Sequence, residues 1–141
     1  DVMHENNIVP EFECFDTGIV RSVGLFEEKG MIKQPVHVSF VMGIASGMPA
    51  DMDLLPILIR QLKPNSKFQT IVIGRKEIWD VHRRCAELGG NVRTGLEDTF
   101  YLPSGEKVDS NGPLVEALVK IVRETGREPA TFQEAKQIIL H

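Results

Sequence analysis

Several things are scarce in this chain, and each absence removes a class of function. No run of Lys or Arg exceeds two residues, and the formal net charge over 141 residues is −4. That leaves no basic footprint for nucleic acid and no polybasic patch for an anionic membrane. No apolar run approaches the roughly 18 residues of a membrane-spanning helix. There are two cysteines, Cys14 and Cys85, both in apolar contexts on different elements. They read as two buried thiols of a reducing compartment rather than as a disulfide. The four histidines, His4, His37, His82 and His141, form no metal-spaced cluster. By pattern His82 faces outward beside Arg83 and Arg84, and His37 lies at a strand entrance. Trp79 reads as packing. No signal-peptide pattern opens the chain, so a cytoplasmic location is expected, although an opening at Asp1 warns against taking the start as natural. Small molecules or other protein chains are the expected partners.

What is present is an alternation. A strand over 9–16, "VPEFECFD", is followed by a helix with Ile19, Val20, Val23 and Phe26 at helical spacing and Gly30 as its stop. "VHVSFVMG", over 36–43, is a near-continuous apolar strand. The loop "IASGMPAD" leads into a helix "DLLPILIRQLK", where Pro56 is tolerable only in the first turn. "FQTIVIG" makes a third strand, and "KEIWDVHRRCAELGG" an amphipathic helix ended by Gly89-Gly90. "NVRTGLEDTF", over 91–100, is the fourth strand. After a long loop a helix opens near Pro113, and a last one opens with the capping box "TFQE" at Thr131–Glu134. Strands alternating with helices mean a parallel sheet. Two architectures fit: a small doubly wound sheet, or four consecutive units of a (β/α)8 barrel, which needs about 250 residues when complete.

In either architecture chemistry gathers at the C-terminal ends of the strands. The fourth strand places Arg93, Gly95 and Glu97 on one face by parity, with Asp98 at the exit. At about 3.3 Å per residue Arg93 and Glu97 are roughly 13 Å apart along a strand, so they meet only if the arginine reaches upward. A charge on an inward face is costly unless paired or bound to metal. The competing reading makes Glu97 and Asp98 the start of a solvated loop. In the first strand Glu11 and Glu13 share a face, which suits a charged edge strand or, in a barrel, a polar interior site. Gly43 and Gly47 precede a helix with Asp51 and Asp53 at its start. That loop matches neither a Walker loop nor GxGxxG, and its acids oppose phosphate there.

The segments "VRTGLEDTFYLPSGEKVDSN", "PEFECFD" and "VSFVMGIASGMPA" together resemble the β-keto acid cleavage enzyme family, of the 3-keto-5-aminohexanoate cleavage type, over nearly the whole chain. The resemblance implies a zinc-dependent (β/α)8 barrel, usually a homotetramer. Its reaction exchanges an acetyl unit between a β-keto acid and acetyl-CoA, giving acetoacetate and a new acyl-CoA. It implies that residues 1–141 are the C-terminal half of one barrel domain, strands 5 to 8 plus a C-terminal helix. Glu97 would then be the carboxylate ligand of zinc. Arg93 and Asp98 would act together, with Asp98 as base, and Glu11 would be the acid of the first strand here, with Glu13 the second claimant. Ser46 and Gly47 would lie in a substrate loop near the thioester. The family also uses a His-x-His pair for zinc, absent from these residues, so an N-terminal half-barrel is the expected partner. The readings from other classes are a non-catalytic flavodoxin-like α/β binding module and an inactive barrel fragment.

Overall fold

The computed structural model describes residues 2–140, apart from the side chains at positions 4 and 140. His141 and the His4 side chain therefore lie outside the described residues. A short helix α1 (Val2–Glu5) precedes β1 (Glu11–Cys14), α2 (Thr17–Glu28), β2 (His37–Met42) and α3 (Leu55–Ile59). β3 (Lys67–Val72), α4 (Ile78–Glu87), β4 (Asn91–Val92), α5 (Asn111–Glu124) and α6 (Phe132–Leu140) complete the chain.

The helix ends follow from local chemistry. Asp16 caps α2 by accepting the Ile19 N–H at 2.9 Å, and at its other end Gly30 sits at φ 69° while its N–H bonds the Glu27 carbonyl. α4 ends at Gly89, with φ 88°. A Cβ on the next residue, Gly90, would lie 2.3 Å from the Phe68 ring and 2.5 Å from Cys85 Sγ. Only glycine fits between that ring and that thiol. α6 carries the expected capping box: Thr131 N–H donates to Glu134 Oε2 at 2.8 Å and Glu134 N–H donates to Thr131 Oγ1 at 3.3 Å.

α3 is shorter than the sequence pattern implies. Asp51 accepts the Asp53 N–H at 2.9 Å and starts a 3-10 turn over Met52–Leu54, with Pro56 in the first turn of the α-helix that follows. Beyond Ile59 the backbone tightens to three-residue bonds, Gln61 N–H to Leu58 O and Leu62 N–H to Ile59 O. Asn65 then turns into the left-handed region at φ 72°.

All four strands are parallel and lie in chain order, β1-β2-β3-β4. Register runs from Glu11 opposite His37 and Lys67 at the N-terminal end to Met42 opposite Val72 at the other. A doubly wound sheet reverses its order at a switch point; this one does not. Parallel crossovers share one hand, so a sequential order puts every crossover helix on the same face. The core agrees. Cys14, Val38, Phe40, Met42 and Val72 point to one side and join Val20, Val23, Leu55, Leu58, Ile78, Val81, Cys85, Leu114 and Ile121 in a single buried cluster. The alternate residues, among them Glu11, Glu13, His37, Gln69, Arg93 and the buried Ser39, Val41 and Ile71, point to the face opposite these helices. This singly wound form is not the flavodoxin-like alternative.

His82 corrects the sequence reading. It is fully buried, not outward. α4 buries Ile78, Trp79, Val81, His82, Cys85 and Ala86, an arc wider than one amphipathic stripe. It packs against both β3 and α5, which consumes two sides. His82 Nδ1 stands 3.0 Å from the Thr70 hydroxyl, a polar atom of the sheet's helix-covered face. Burial pushes the imidazole pKa down to about 4, so it is held neutral. Trp79 is packed as expected, and its indole N–H donates to Tyr101 O at 3.1 Å. Cys14 and Cys85 are free and buried; burial raises both thiols to about 11, which makes them poor nucleophiles. No helix among the described residues is long and apolar enough to cross a membrane.

Candidate active site

β4 pairs only through Asn91 and Val92, with Arg93 N–H reaching Thr70 O at 3.4 Å as its last rung. Gly95 then ends the extended run. Its carbonyl accepts from both Asp98 N–H, at 2.9 Å, and Thr99 N–H, at 3.0 Å. The strand parity expected for Arg93, Gly95 and Glu97 therefore fails beyond position 93. The chain folds back on itself and brings together residues that an extended strand would hold apart.

The result is a three-residue cluster. Arg93 Nη2 lies 3.0 Å from Asp98 Oδ1 and 3.3 Å from Glu97 Oε2. The Asp98 side chain is 3% exposed, Arg93 38% and Glu97 85%. A buried carboxylate without a cation would be expensive, so the arginine is what permits Asp98 to sit there. The Arg93 pKa is raised, first by its hydrogen bond to Asp98 and then by the charges of Asp98, Glu97 and Glu13, against the opposing effect of burial. Glu97 spends one oxygen on an exposed ion pair, which binds weakly, and keeps the rest of its donor capacity facing out.

Neighbouring loops hold this turn rigid. Leu96 N–H donates to Asn111 Oδ1 at 2.8 Å, tying the turn to the start of α5. Gly74 N–H donates to Asp98 O at 3.3 Å, and Thr99 Oγ1 returns a bond to Gly74 O at 2.9 Å. The loops after β3 and β4 thus brace each other. Nothing in the sequence pattern pointed to Asn111; its one signal is a side chain with an acceptor oxygen at the start of a helix that follows a long loop.

The other expected residues are placed differently. Ser46 is exposed in the loop after β2, at the same C-terminal end of the sheet. Gly47 N–H bonds Ile44 O, and the adjacent Met48 N–H bonds Phe15 O at 2.9 Å, so this loop folds back over the end of β1. Gly43 at its start has φ 86°, and a Cβ there would lie 1.9 Å from Ile73 O, an approach open only to glycine.

Glu11 is not brought to Arg93. It begins β1 at the N-terminal end of the sheet. It accepts from the Ser39 hydroxyl and, at 2.7 Å, from Gln69 Nε2, which also donates to Ser39 Oγ at 2.8 Å. Glu13, one step further along the same face, is the acid of β1 whose charge acts on Arg93. His37, at that same lower end, has its pKa lowered by burial, against the pull of Glu11. Among the described residues no three His, Cys, Asp or Glu side chains converge to hold a metal ion.

The arginine–carboxylate cluster lies at the C-terminal end of a singly wound parallel α/β sheet, the place where parallel α/β enzymes keep their chemistry. The sequence profile of the β-keto acid cleavage enzyme family matches residues 1–140, and the chain belongs to that family. It is 36% identical over 137 residues to the 3-keto-5-aminohexanoate cleavage enzyme of Acetoanaerobium sticklandii, covering 97% of this chain and 50% of that protein. It is 34% identical over 135 residues to the 3-oxoadipate:acetyl-CoA acetyltransferase of Cupriavidus necator, covering 94% and 47%. It is 36% identical over 129 residues to the 3-dehydrocarnitine:acetyl-CoA trimethylamine transferase of Rhizobium meliloti, covering 91% and 42%. The chain spans about half the length of the curated relatives it matches.

Proposed function

We propose that this chain is the C-terminal half of a zinc-dependent (β/α)8 β-keto acid cleavage enzyme, working as a homo-oligomer in the cytoplasm. It would convert a β-keto acid and acetyl-CoA into acetoacetate and a new acyl-CoA. The observation that carries the reading is the Arg93–Asp98 pair with Glu97 beside it, at the C-terminal end of a sheet whose core helices pack on the opposite face. An N-terminal half-barrel would cover the face away from those helices and pair the outer edges of β1 and β4, which unpaired are a liability. The names of relatives support the substrate class, since they pair acetyl-CoA with 3-oxoadipate in one case and 3-dehydrocarnitine in another.

The roles are those the family resemblance implies, and the geometry is compatible with them. Glu97 is the one carboxylate of the cluster with free donor capacity, which suits a metal ligand whose partners, a His-x-His pair, come from the other half. Bound there, zinc would supply Lewis-acid polarisation of the keto acid's oxygens. Arg93 supplies a fixed positive charge beside the developing enolate and keeps Asp98 in place. Asp98, buried and aimed by that bond, takes the proton from the carbon between ketone and carboxylate. Of the two acids of β1, Glu11 is engaged with Ser39 and Gln69, and Glu13 adds the smallest of the charges that raise the Arg93 pKa. Ser46 and Gly47 edge the mouth near the thioester.

The test is acetoacetate release by the complete protein from acetyl-CoA with 3-keto-5-aminohexanoate, 3-oxoadipate or 3-dehydrocarnitine, alongside its zinc content. Product with at least one keto acid, and loss of both zinc and product in Glu97→Gln, is the expected result. A complete protein that holds zinc yet releases no acetoacetate from any of them ends the proposal.

A further inference from the structure

The reading above accounts for Arg93, Glu97 and Asp98 but leaves a second polar cluster on the same rim without a role. The loop after β3 presents Arg75 and Lys76, both exposed. The loop after β4 runs out as a short hairpin in which Tyr101 bridges Lys107, Leu102 N–H bonds Glu106 O and Val108 N–H bonds Phe100 O. The Arg75 guanidinium lies over the Tyr101 ring, 5.1 Å from its centroid, and Lys107 Nζ lies over Phe100 at 5.4 Å. Neither cation, nor Lys76, has a carboxylate within ion-pair distance among the described residues. Glu77, the nearest acid in sequence, turns its Oε1 onto the Arg75 backbone N–H at 3.0 Å instead.

We propose that Arg75 and Lys107, held on Tyr101 and Phe100, form an anion shelf that binds the phosphate groups of the acyl-coenzyme A co-substrate. The inference rests on the cleavage reading and deepens it. Surface cations on proteins commonly spend their charge on a neighbouring carboxylate. These two rest on aromatic faces, and Glu77, whose charge interacts with Arg75 and Lys76, stays beyond ion-pair distance of both. Holding a guanidinium in advance lowers the ordering cost of a bidentate phosphate contact. Position supports the same use. Arg75 follows Gly74, whose N–H and carbonyl bond Asp98 O and Thr99 Oγ1, so the shelf and the proton-accepting carboxylate are braced on one another. A long co-substrate with an anionic end and a reactive end needs that arrangement: a charged landing on the rim, with the chemistry inward of it. Phe100, 48% exposed, adds apolar surface beside the cations.

The test compares the complete protein with its Arg75→Gln/Lys107→Gln variant, at saturating keto acid, on three thioesters: acetyl-CoA, acetyl-dephospho-CoA and S-acetyl-N-acetylcysteamine. The variant should raise KM for acetyl-CoA roughly tenfold or more, the loss of at least one charge-assisted bond. Its kcat should be unchanged, as should its rate with the short thioester, which has no phosphate. A KM rise that persists with acetyl-dephospho-CoA assigns the diphosphate, and one that vanishes there assigns the 3′-phosphate. In the unaltered protein, added KCl should raise KM for acetyl-CoA and leave the short thioester unaffected, a readout that needs no variant. Equal KM values for acetyl-CoA, or an equal loss on the short thioester, overturn the shelf and leave the cations as hairpin staples. Failure of the unaltered protein on every thioester overturns the cleavage reading instead.

Discussion

The face of the sheet opposite the core helices carries acids at both of its ends, and the two ends are built on different terms. At the N-terminal end Glu11, Ser39 and Gln69 form a closed triangle in which each side chain bonds the other two. At the C-terminal end Arg93 bonds two carboxylates, one buried and one almost fully exposed. The lower network closes on itself, although His37 Nε2 at that same end is buried without a hydrogen-bond partner. The upper one keeps an oxygen donor facing out and a buried charge that depends on a single arginine. Satisfied polar layers fix a fold; unsatisfied ones at strand exits are where ligands enter. The acid at the lower end and the acids at the upper end look alike as letters, and their partners separate them.

Substitutions can break this contrast. The largest effect is expected for Arg93→Ala in the complete enzyme: kcat/KM for acetoacetate formation should fall about 100- to 1,000-fold, as when a preorganised charge is removed. Urea unfolding should show a loss of only about 1–3 kcal/mol, for a buried carboxylate left unpaired beneath a partly solvated site. Collapse of the fold with little effect on residual turnover would make Arg93 a structural ion-pair residue. Next, stability should fall by about 3 kcal/mol as pH drops from 6.5 to 4, because His82 titrates near 6.5 when unfolded and near 4 when folded. The sign is fixed: the unfolded chain takes up the proton first, so stability is full above 6.5 and is lost on acidification. Subtracting the curve of His82→Gln isolates that share from the carboxylates, and identical curves would show that His82 is not held neutral.

Glu13→Gln and Glu11→Gln sharpen the comparison directly. Turnover should drop more for Glu13→Gln, and the opposite ranking would return the catalytic acid to the lower end. The smallest effect is on the stability of Glu97→Gln, within about 0.5 kcal/mol in urea unfolding, since its ion pair is solvated. A larger loss would mean that Glu97 shapes the turn as well as facing a ligand.

Much of the fold was readable because its periods are strong. The first three strands, the start of the fourth, the Gly30 and Gly89 stops and the Thr131 capping box all rest on local chemistry that tertiary packing did not override. What was not readable came from folding back. Alternation along "NVRTGLEDTF" assumes an extended chain, and the double acceptance by the Gly95 carbonyl breaks that assumption at one residue. Likewise the helical pattern of α4 allotted His82 to solvent, because a single stripe cannot reveal that two elements press on one helix. Glu11 and Glu13 have the same parity and composition. Only the third dimension shows that one is engaged below and the other acts on the arginine above.

The bond from Leu96 N–H to Asn111 Oδ1 has a mechanical consequence. It fastens the turn that carries Glu97 and Asp98 to the first residue of α5, so the height at which that helix rests on the sheet sets the height of the carboxylates. Leu114, one turn further along and fully buried, acts as the shim under it. Shaving that side chain should cost about 2–5 kcal/mol, as for other buried leucines cut to alanine, and the carboxylates above it should lose their support in the same stroke.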